Sequence, residues 1–292
     1  MKARLPSWFK QAMPNPCAVL ELNDLIKDLN LHTICDSAMC PNQGECYSKG
    51  TATFLILGDV CTRNCTFCAV KKGAPLPVDE DEPSHLVEAV ERMGLKYVVI
   101  TSVTRDDLPD GGAAHFARIV TMLKEHDEKL TIEVLVPDFQ GDHNALKVVV
   151  DACPDVINHN VETVPLLYPA VRPMAVFMRS VELLRRSKEC DPSILTKSGI
   201  MVGLGESEEE LRKAMLELRK AGCDLLTVGQ YLQPSPRHHP VIRYVPPEEF
   251  ESYAQIAKEL GFVGVASAPL VRSSFHALEL FNRAKVDGRL RA

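Results

Sequence analysis

The chain has no long apolar run, no apolar segment near its N-terminus and no excess of positive charge. A membrane helix needs roughly 20 consecutive apolar residues, so we expect no membrane span. The N-terminus carries charges without an apolar core and does not predict a signal peptide. The net charge of -6 argues against a nucleic-acid-binding protein with a general basic surface. We therefore expect a reducing cytoplasm, or an organelle matrix if an import peptide has been removed.

Disulfide scaffolds are also excluded, although the 292 residues include 10 cysteines. A chain of this length, 46% hydrophobic, can bury a core without covalent staples. Secreted disulfide scaffolds are smaller and spread their cysteines along the chain. Here six cysteines crowd into residues 35–68, so another chemistry must explain them. The isolated cysteines are interpreted as buried apolar fillers; they are Cys17, Cys153, Cys190 and Cys223.

From residue 51 onward, short apolar runs alternate with amphipathic stretches. The pattern predicts strands at 53–57, 97–101, 131–135, 156–160, 200–202 and 225–228. It predicts helices at 83–94, 114–126, 144–152, 177–188, 208–221 and 247–260. A strand followed by a crossover helix, repeated, is typical of a parallel sheet. We predict an α/β fold, a partial (β/α)6 TIM-like barrel over residues 51–268, with extensions 1–50 and 269–292 packed over it.

Three thiols directly follow the first predicted strand, with the spacing C-x3-C-x2-C: Cys61, Cys65 and Cys68. Thiolates are soft ligands that suit iron–sulfur clusters, zinc and copper. Zinc sites usually have two C-x2-C knuckles, and here only one is present, from Cys65 to Cys68. A four-iron cluster normally takes four cysteines, so three would leave one iron open to a substrate. A 4Fe-4S cluster is the better interpretation, with a zinc site as the alternative.

This motif, with the aromatic Phe67 before its last cysteine, resembles that of the radical SAM superfamily. The resemblance implies that the open iron binds S-adenosylmethionine and that its reductive cleavage yields a 5′-deoxyadenosyl radical. Cys61, Cys65 and Cys68 would hold this catalytic cluster. Further residues, at the ends of later strands, would contact S-adenosylmethionine: Gly111, Gly112, Asn158, Glu162, Met201 and Gly203. Ala113 stands where that superfamily often has glutamate, and a glycine after a strand also suits a plain turn.

A second cysteine group lies upstream of the predicted barrel, with C-x4-C-x5-C spacing: Cys35, Cys40 and Cys46. A second iron–sulfur cluster is the better interpretation, and a small structural zinc loop is the alternative. Again only three thiols are local, so a fourth ligand must come from elsewhere.

Here the sequence resembles the lipoyl synthase family, which pairs this spacing, including Cys-Pro-Asn, with the radical SAM motif. That family carries a C-terminal Arg-Ser-Ser-Tyr whose second serine ligates the auxiliary cluster, and residues 272–275 read Arg-Ser-Ser-Phe. Ser274 takes the ligand role by position. Phe275 replaces the usual tyrosine, Met174 a usual glycine, and Leu166 a common basic residue.

The resemblance implies insertion of two sulfur atoms at C6 and C8 of a protein-bound octanoyl-lysine, with the auxiliary 4Fe-4S cluster as sulfur donor. A serine oxygen is a harder, poorer ligand for iron than thiolate, so Ser274 is expected to release readily. The implied partners are an octanoylated carrier domain (a 2-oxoacid dehydrogenase E2 or the glycine cleavage H protein) and an electron donor such as ferredoxin or flavodoxin.

Two other functions stay open on the sequence alone. One is another radical SAM sulfur-inserting enzyme with an auxiliary cluster, similar to biotin synthase or a methylthiotransferase. The other is a non-catalytic iron–sulfur protein, which would not need a barrel. Among loop residues, His238 and His239 are predicted to lie at the surface, and Arg63 either caps a helix or tunes the charge of the cluster.

Overall fold

The computed structural model of the chain describes residues 5–10 and 13–286. The strands are β1 (His32–Thr33), β2 (Thr53–Ile56), β3 (Val60–Cys61), β4 (Lys71–Lys72), β5 (Tyr97–Ser102), β6 (Thr131–Leu135), β7 (Val156–Asn158), β8 (Leu195–Val202), β9 (Leu225–Gln230) and β10 (Gly264–Ala268). The helices are α1 (Pro16–Asp28), α2 (Ile34–Ser37), α3 (Gln43–Ser48), α4 (Glu82–Met93), α5 (Ala113–His126), α6 (His143–Asp151), α7 (Tyr168–Val171), α8 (Phe177–Cys190), α9 (Glu208–Lys220), α10 (Pro247–Glu259) and α11 (Ala277–Val286). Within the described ranges, no helix is long and apolar enough to cross a membrane.

The main sheet has the strand order β1-β2-β5-β6-β7-β8-β9-β10. From β2 to β10 all neighbours are parallel, and β1 runs antiparallel to β2. Because the spatial order follows the chain order without reversing, the sheet is wound in one direction, as in a barrel, rather than doubly wound. The predicted α/β partial barrel is confirmed. In the described part of the chain β1 and β10 do not pair with each other, so the barrel is open.

The six predicted strands are all present, and two differences have a physical cause. Strand β8 begins at Leu195, earlier than predicted, because its polar residues face partners inside the barrel. Strand β10 extends the sheet beyond the six predicted units. Its residues are small and mostly half-buried, so it lacks the apolar run that marks a buried strand.

The residues outside the β/α alternation contact one edge of the sheet and the starts of several strands. Strand β1 adds an antiparallel edge to β2, which the sequence did not predict. Helix α11 buries Leu280 and Phe281 against residues that begin strands β7, β8 and β9. The Asn42 side chain donates a hydrogen bond to the Leu270 carbonyl at 2.7 Å, so the segments before and after the β/α alternation contact each other.

An ion pair lies inside the barrel. The Lys197 ammonium donates to both oxygens of Glu133 at 2.9 Å, and both side chains are almost fully buried. The Tyr97 hydroxyl donates to the same carboxylate at 2.5 Å, and the Asn158 amide donates to it at 2.7 Å. A buried carboxylate with this many partners is compatible with the core, because its lost hydration is replaced by hydrogen bonds.

Removing one member of this pair should destabilise the fold strongly. We expect Glu133→Gln to lower the free energy of unfolding by about 3–5 kcal/mol, because Lys197 would be left buried without a counter-charge. The double variant Glu133→Gln/Lys197→Met should lose less than the sum of the single variants. Guanidinium unfolding of the metal-free protein measures the free energy of unfolding of the single and the double variants.

The matched control is the exposed pair Lys147–Asp151, with 60% and 58% of the side chains exposed. Lys147→Met should change the stability by no more than about 1 kcal/mol. Strictly additive losses in the double variant would contradict a coupled pair.

Candidate active site

Two cavities lie at opposite ends of the barrel. The upper cavity, of 490 Å³, is lined by the residues that end the parallel strands, among them Leu135, Met201 and Gln230. The lower cavity, of 420 Å³, is lined by residues at the starts of β2 and β5, such as Thr53 and Tyr97. In barrels of this kind, reactive groups gather at the carboxyl ends of the strands, which is the end of the upper cavity.

The cysteines of the C-x3-C-x2-C motif, Cys61, Cys65 and Cys68, all line the upper cavity. Their loop follows β2 and is held by Arg63, whose buried guanidinium donates to Asp106 and to Asp138 at 2.6–2.8 Å. These aspartates follow β5 and β6. Burial would raise the pKa of Asp138, but Arg63 holds it well below its usual range. Arg63 therefore anchors the cysteine loop to two neighbouring strand ends and caps no helix.

The second group of cysteines lies between the two cavities. Cys35 and Cys40 line both cavities, whereas Cys46 lines the lower cavity. Ser274 also lines both, and its Oγ accepts a hydrogen bond from the Thr53 hydroxyl at 2.8 Å. The fold thus brings Ser274, from the end of the chain, to the three cysteines that precede the barrel.

The chemistry of these donors suits iron–sulfur clusters. Burial raises the pKa of the Cys35 and Cys68 thiols to about 12 and that of Cys46 to about 11. Such thiols are protonated at neutral pH until a cation displaces the proton, as soft metal ligands do. Among the described residues, no three His, Cys, Asp or Glu side chains are grouped as ligands of one metal ion. This absence of a single-ion site is compatible with an iron–sulfur cluster, because thiolates that bind different irons of a cluster do not have to converge on one point.

The other predicted contact residues fall into two sets. Phe67, Glu162 and Met201 line the upper cavity. The others lie outside the residues that line either cavity; they are Gly111, Gly112, Asn158 and Gly203. A Cβ at Gly112 would lie 2.3 Å from a Leu57 methyl carbon, and one at Gly203 2.1 Å from the Gln230 amide nitrogen. Contacts of all seven residues with S-adenosylmethionine stay predictions.

The departures from the family pattern are spread out. Leu166 and Met174 are exposed and line neither cavity, whereas Phe275 lines the lower cavity. The prediction that the isolated cysteines are buried is wrong for Cys17, Cys153 and Cys190, which are exposed. Each lies near one end of a helix, where a small thiol can face solvent without loss of packing. Cys223 alone of the four is buried.

Two histidines expected at the surface instead contact the cysteine loop. His238 Nε2 lies 3.1 Å from the Cys68 carbonyl oxygen, and the His239 backbone N–H donates to the Thr66 carbonyl at 2.9 Å. Both residues are half-buried. The proline-rich loop therefore folds back over the motif, which a local reading of a polar loop does not reveal.

Two arginines of the upper cavity were not predicted as site residues. Arg172 Nη1 donates to the Asn160 carbonyl at 2.8 Å, while its buried Nε has no hydrogen-bond partner among the residues that the structure describes. Arg272 lines both cavities. Near Arg172, burial raises the pKa of Glu162 and the arginine opposes that rise. In the sequence, the only indication of a role in the site was the position of Arg172 in Arg-Pro and of Arg272 in Arg-Ser-Ser. An isolated arginine does not form a recognisable motif.

His159 also lines the upper cavity, and its hydrogen bonds are those of a neutral ring. In the neutral ring, Nδ1 can donate to the Val136 carbonyl at 2.8 Å while Nε2 accepts from the Ser180 hydroxyl at 2.9 Å. Both nitrogens are satisfied without a charge, so burial lowers the pKa of His159 from its ordinary value of 6.5 to about 4.

Comparison with known proteins gives consistent likenesses. The model of the Radical SAM superfamily matches residues 55–218. A lipoyl synthase from Caldanaerobacter subterraneus subsp. tengcongensis is 56% identical over 277 residues, which are 95% of this chain and 97% of the relative. A lipoyl synthase from Rubrobacter xylanophilus is 53% identical over 274 residues, 94% of this chain and 85% of the relative.

Solved structures with a similar fold are much more distant in sequence. Methylornithine synthase is 16% identical with a TM-score of 0.50, over 94% of this chain and 96% of the other. HydG, a maturase of the [FeFe]-hydrogenase, is 16% identical with a TM-score of 0.57, over 88% of this chain and 63% of the other. At such identities the likeness concerns the fold alone.

The lowered pKa of His159 predicts a pH dependence of stability. The unfolded chain takes up the proton near pH 6.5 and the folded chain only near pH 4. His159 therefore makes its full contribution to the free energy of unfolding above pH 6.5. That contribution, about 3 kcal/mol, is lost as the pH falls towards 4. Urea unfolding of the metal-free protein at a series of pH values measures this pH dependence of the free energy of unfolding.

The control is His159→Gln, which keeps hydrogen-bonding capacity but cannot titrate. Its unfolding free energy should fall less steeply over the same pH range. Parallel profiles for the two proteins would rule out His159 as the source of the slope.

Proposed function

The chain belongs to the lipoyl synthase family of radical SAM enzymes, and on that premise we propose that it inserts two sulfur atoms, at C6 and C8, into a protein-bound octanoyl-lysine. One observation carries the proposal. Cys35, Cys40 and Ser274 share the upper cavity with the cysteines of the C-x3-C-x2-C motif. A substrate chain in this cavity would face both sets of ligands.

We assign the S-adenosylmethionine side of the cavity to residues that follow the strands. Cys61, Cys65 and Cys68 hold a 4Fe-4S cluster, which together with S-adenosylmethionine supplies a 5′-deoxyadenosyl radical. Glu162 and Arg172 suit the ammonium and carboxylate groups of that cofactor, because they are half-buried residues of opposite charge in the lining of one cavity. Phe67 and Met201 give apolar contact and exclude water from the reacting centre.

We assign the opposite side to a second cluster, which supplies the sulfur. Its ligands are Cys35, Cys40, Cys46 and Ser274. The Thr53 hydroxyl donates to Ser274 Oγ, so it would stabilise the serine oxygen both as an iron ligand and as a free hydroxyl. Serine oxygen is a harder ligand than thiolate, which favours release at this position.

The cavity also suits an aliphatic substrate. Its lining contains apolar side chains, among them Leu55, Val103, Leu135, Val136 and Ile200. An octanoyl chain would be desolvated there, which is favourable for methylene groups. The substrate is an octanoylated carrier domain, an E2 component or an H protein, and electrons come from a ferredoxin or flavodoxin in a reducing cytoplasm.

One anaerobic experiment tests the function. The reconstituted protein is mixed with S-adenosylmethionine, a reductant and an octanoyl-lysyl peptide, and mass spectrometry follows the peptide and 5′-deoxyadenosine. We expect a peptide in which two sulfurs replace two hydrogens. The triple variant Cys35→Ala/Cys40→Ala/Cys46→Ala should still release deoxyadenosine but add no sulfur, because only its sulfur source is lost.

Two controls sharpen the result. Cys61→Ala/Cys65→Ala/Cys68→Ala should release neither product, and the exposed Cys153→Ala/Cys190→Ala should behave as the unmodified chain. Deoxyadenosine with an unchanged peptide in the unmodified protein would keep the radical chemistry and discard lipoyl synthesis.

A second prediction concerns the oxygen ligand. Ser274→Cys should retain cluster binding, because thiolate is the stronger ligand for iron, but should slow sulfur insertion by at least about tenfold, a barrier increase of about 1.4 kcal/mol. Iron content and Mössbauer spectra report the binding, and single-turnover kinetics report the insertion. Unimpaired insertion by this variant would show that release of Ser274 does not matter.

A further inference from the structure

The lower cavity reaches the second group of cysteines from the end of the barrel opposite to the upper cavity. Cys46 and Phe275 line the lower cavity and do not line the upper one. Thr53 and Val99, which pair in register near the starts of their strands, form part of its wall. A ligand that approaches Cys46 therefore comes from the lower side.

The two cavities share one wall. Cys35, Cys40, Thr53, Arg272 and Ser274 line both of them. A metal group held by these residues would have one side towards the octanoyl substrate and the other towards the lower cavity. Its replacement would then not require the upper cavity to be empty.

The lining of the lower cavity contains more charged side chains than the lining of the upper cavity. Glu45 and Lys49 form an ion pair at 2.7 Å, and His276 lies 3.9 Å from the same carboxylate. Lys96 is another exposed charged residue of this lining. These charged groups are solvated, and the apolar share of the lining is larger in the upper cavity. A hydrated ion therefore enters the lower cavity at a smaller desolvation cost.

We propose that the lower cavity is a separate port through which divalent iron reaches Cys46, Cys40, Cys35 and Ser274. The proposal rests on the proposed function only in taking these four residues as metal ligands. The step involves no redox change: each thiol gives its proton to water as its sulfur binds the cation. Substrate and S-adenosylmethionine use the upper cavity, so loading and catalysis occur from opposite ends.

The test narrows each cavity in turn. The background is the full chain with Cys61, Cys65 and Cys68 replaced by alanine, which leaves the second group as the clustered thiols. Leu278→Trp adds bulk at an exposed residue of the lower cavity, and Leu232→Trp adds bulk at a half-buried residue of the upper cavity. Co²⁺ serves as the probe, because binding to thiolate gives a charge-transfer absorption that stopped-flow spectroscopy can follow.

We expect Leu278→Trp to slow Co²⁺ uptake and alkylation of Cys46 by N-ethylmaleimide several-fold, while Leu232→Trp changes neither rate. Lys96→Trp, on another segment of the lower cavity, should repeat the effect. Leu278→Ala should not slow either reaction. Circular dichroism confirms that each variant is folded, and peptide mass spectrometry identifies the alkylated cysteine.

Other outcomes overturn the proposal. Slower uptake and alkylation in Leu232→Trp but not in Leu278→Trp would place the route in the upper cavity. Equal rates in all variants would show that neither cavity controls access. If Co²⁺ and iron both fail to bind in every variant, the ligand assignment under the proposed function fails, and the alkylation rates of Cys46 still decide the route.

Discussion

The C-terminal segment crosses strand β9 so closely that no side chain fits between them. A Cβ at Gly229 would lie 2.0 Å from the Val271 carbonyl oxygen. The crossing is held on both sides, since the Gln230 N–H donates to the Pro269 carbonyl and Asn42 donates to that of Leu270. Because of this crossing, Arg272 and Ser274 line both cavities and Ser273 lines the upper one. The composition of the proposed site depends on it.

Buried charge holds the rest of the site in place. Arg63 joins the cysteine loop to Asp106 and Asp138, at the ends of two adjacent strands. Deeper in the barrel, Lys197 and Glu133 join β8 to β6 across β7. Such pairs add little net stability compared with apolar residues, but breaking one is costly, so they define one arrangement of the strand ends. A site that must hold two ligand sets at a set separation benefits from that rigidity.

Much of the architecture was accessible from pattern alone. The boundaries of β6 matched residue for residue, and α4 differed by one residue at each end, because apolar periodicity and turn residues are local signals. The cysteine groups were also local, since their spacing is a property of the chain. Strand β10 and the early part of β8 escaped prediction because their residues are small or polar, and their burial depends on partners that lie far away in sequence.

The sequence by itself determined the alternation of strands and helices, the two groups of thiols and the family to which the chain belongs, because each depends on residue types at short spacing. Only the tertiary structure decided that Cys46 faces one cavity and Cys61 the other, that Ser274 meets Thr53, and that Arg172 and Arg272 enter the cavity walls. Those facts follow from how distant segments pack. Packing depends on the fit of the whole chain, and no window of sequence contains it.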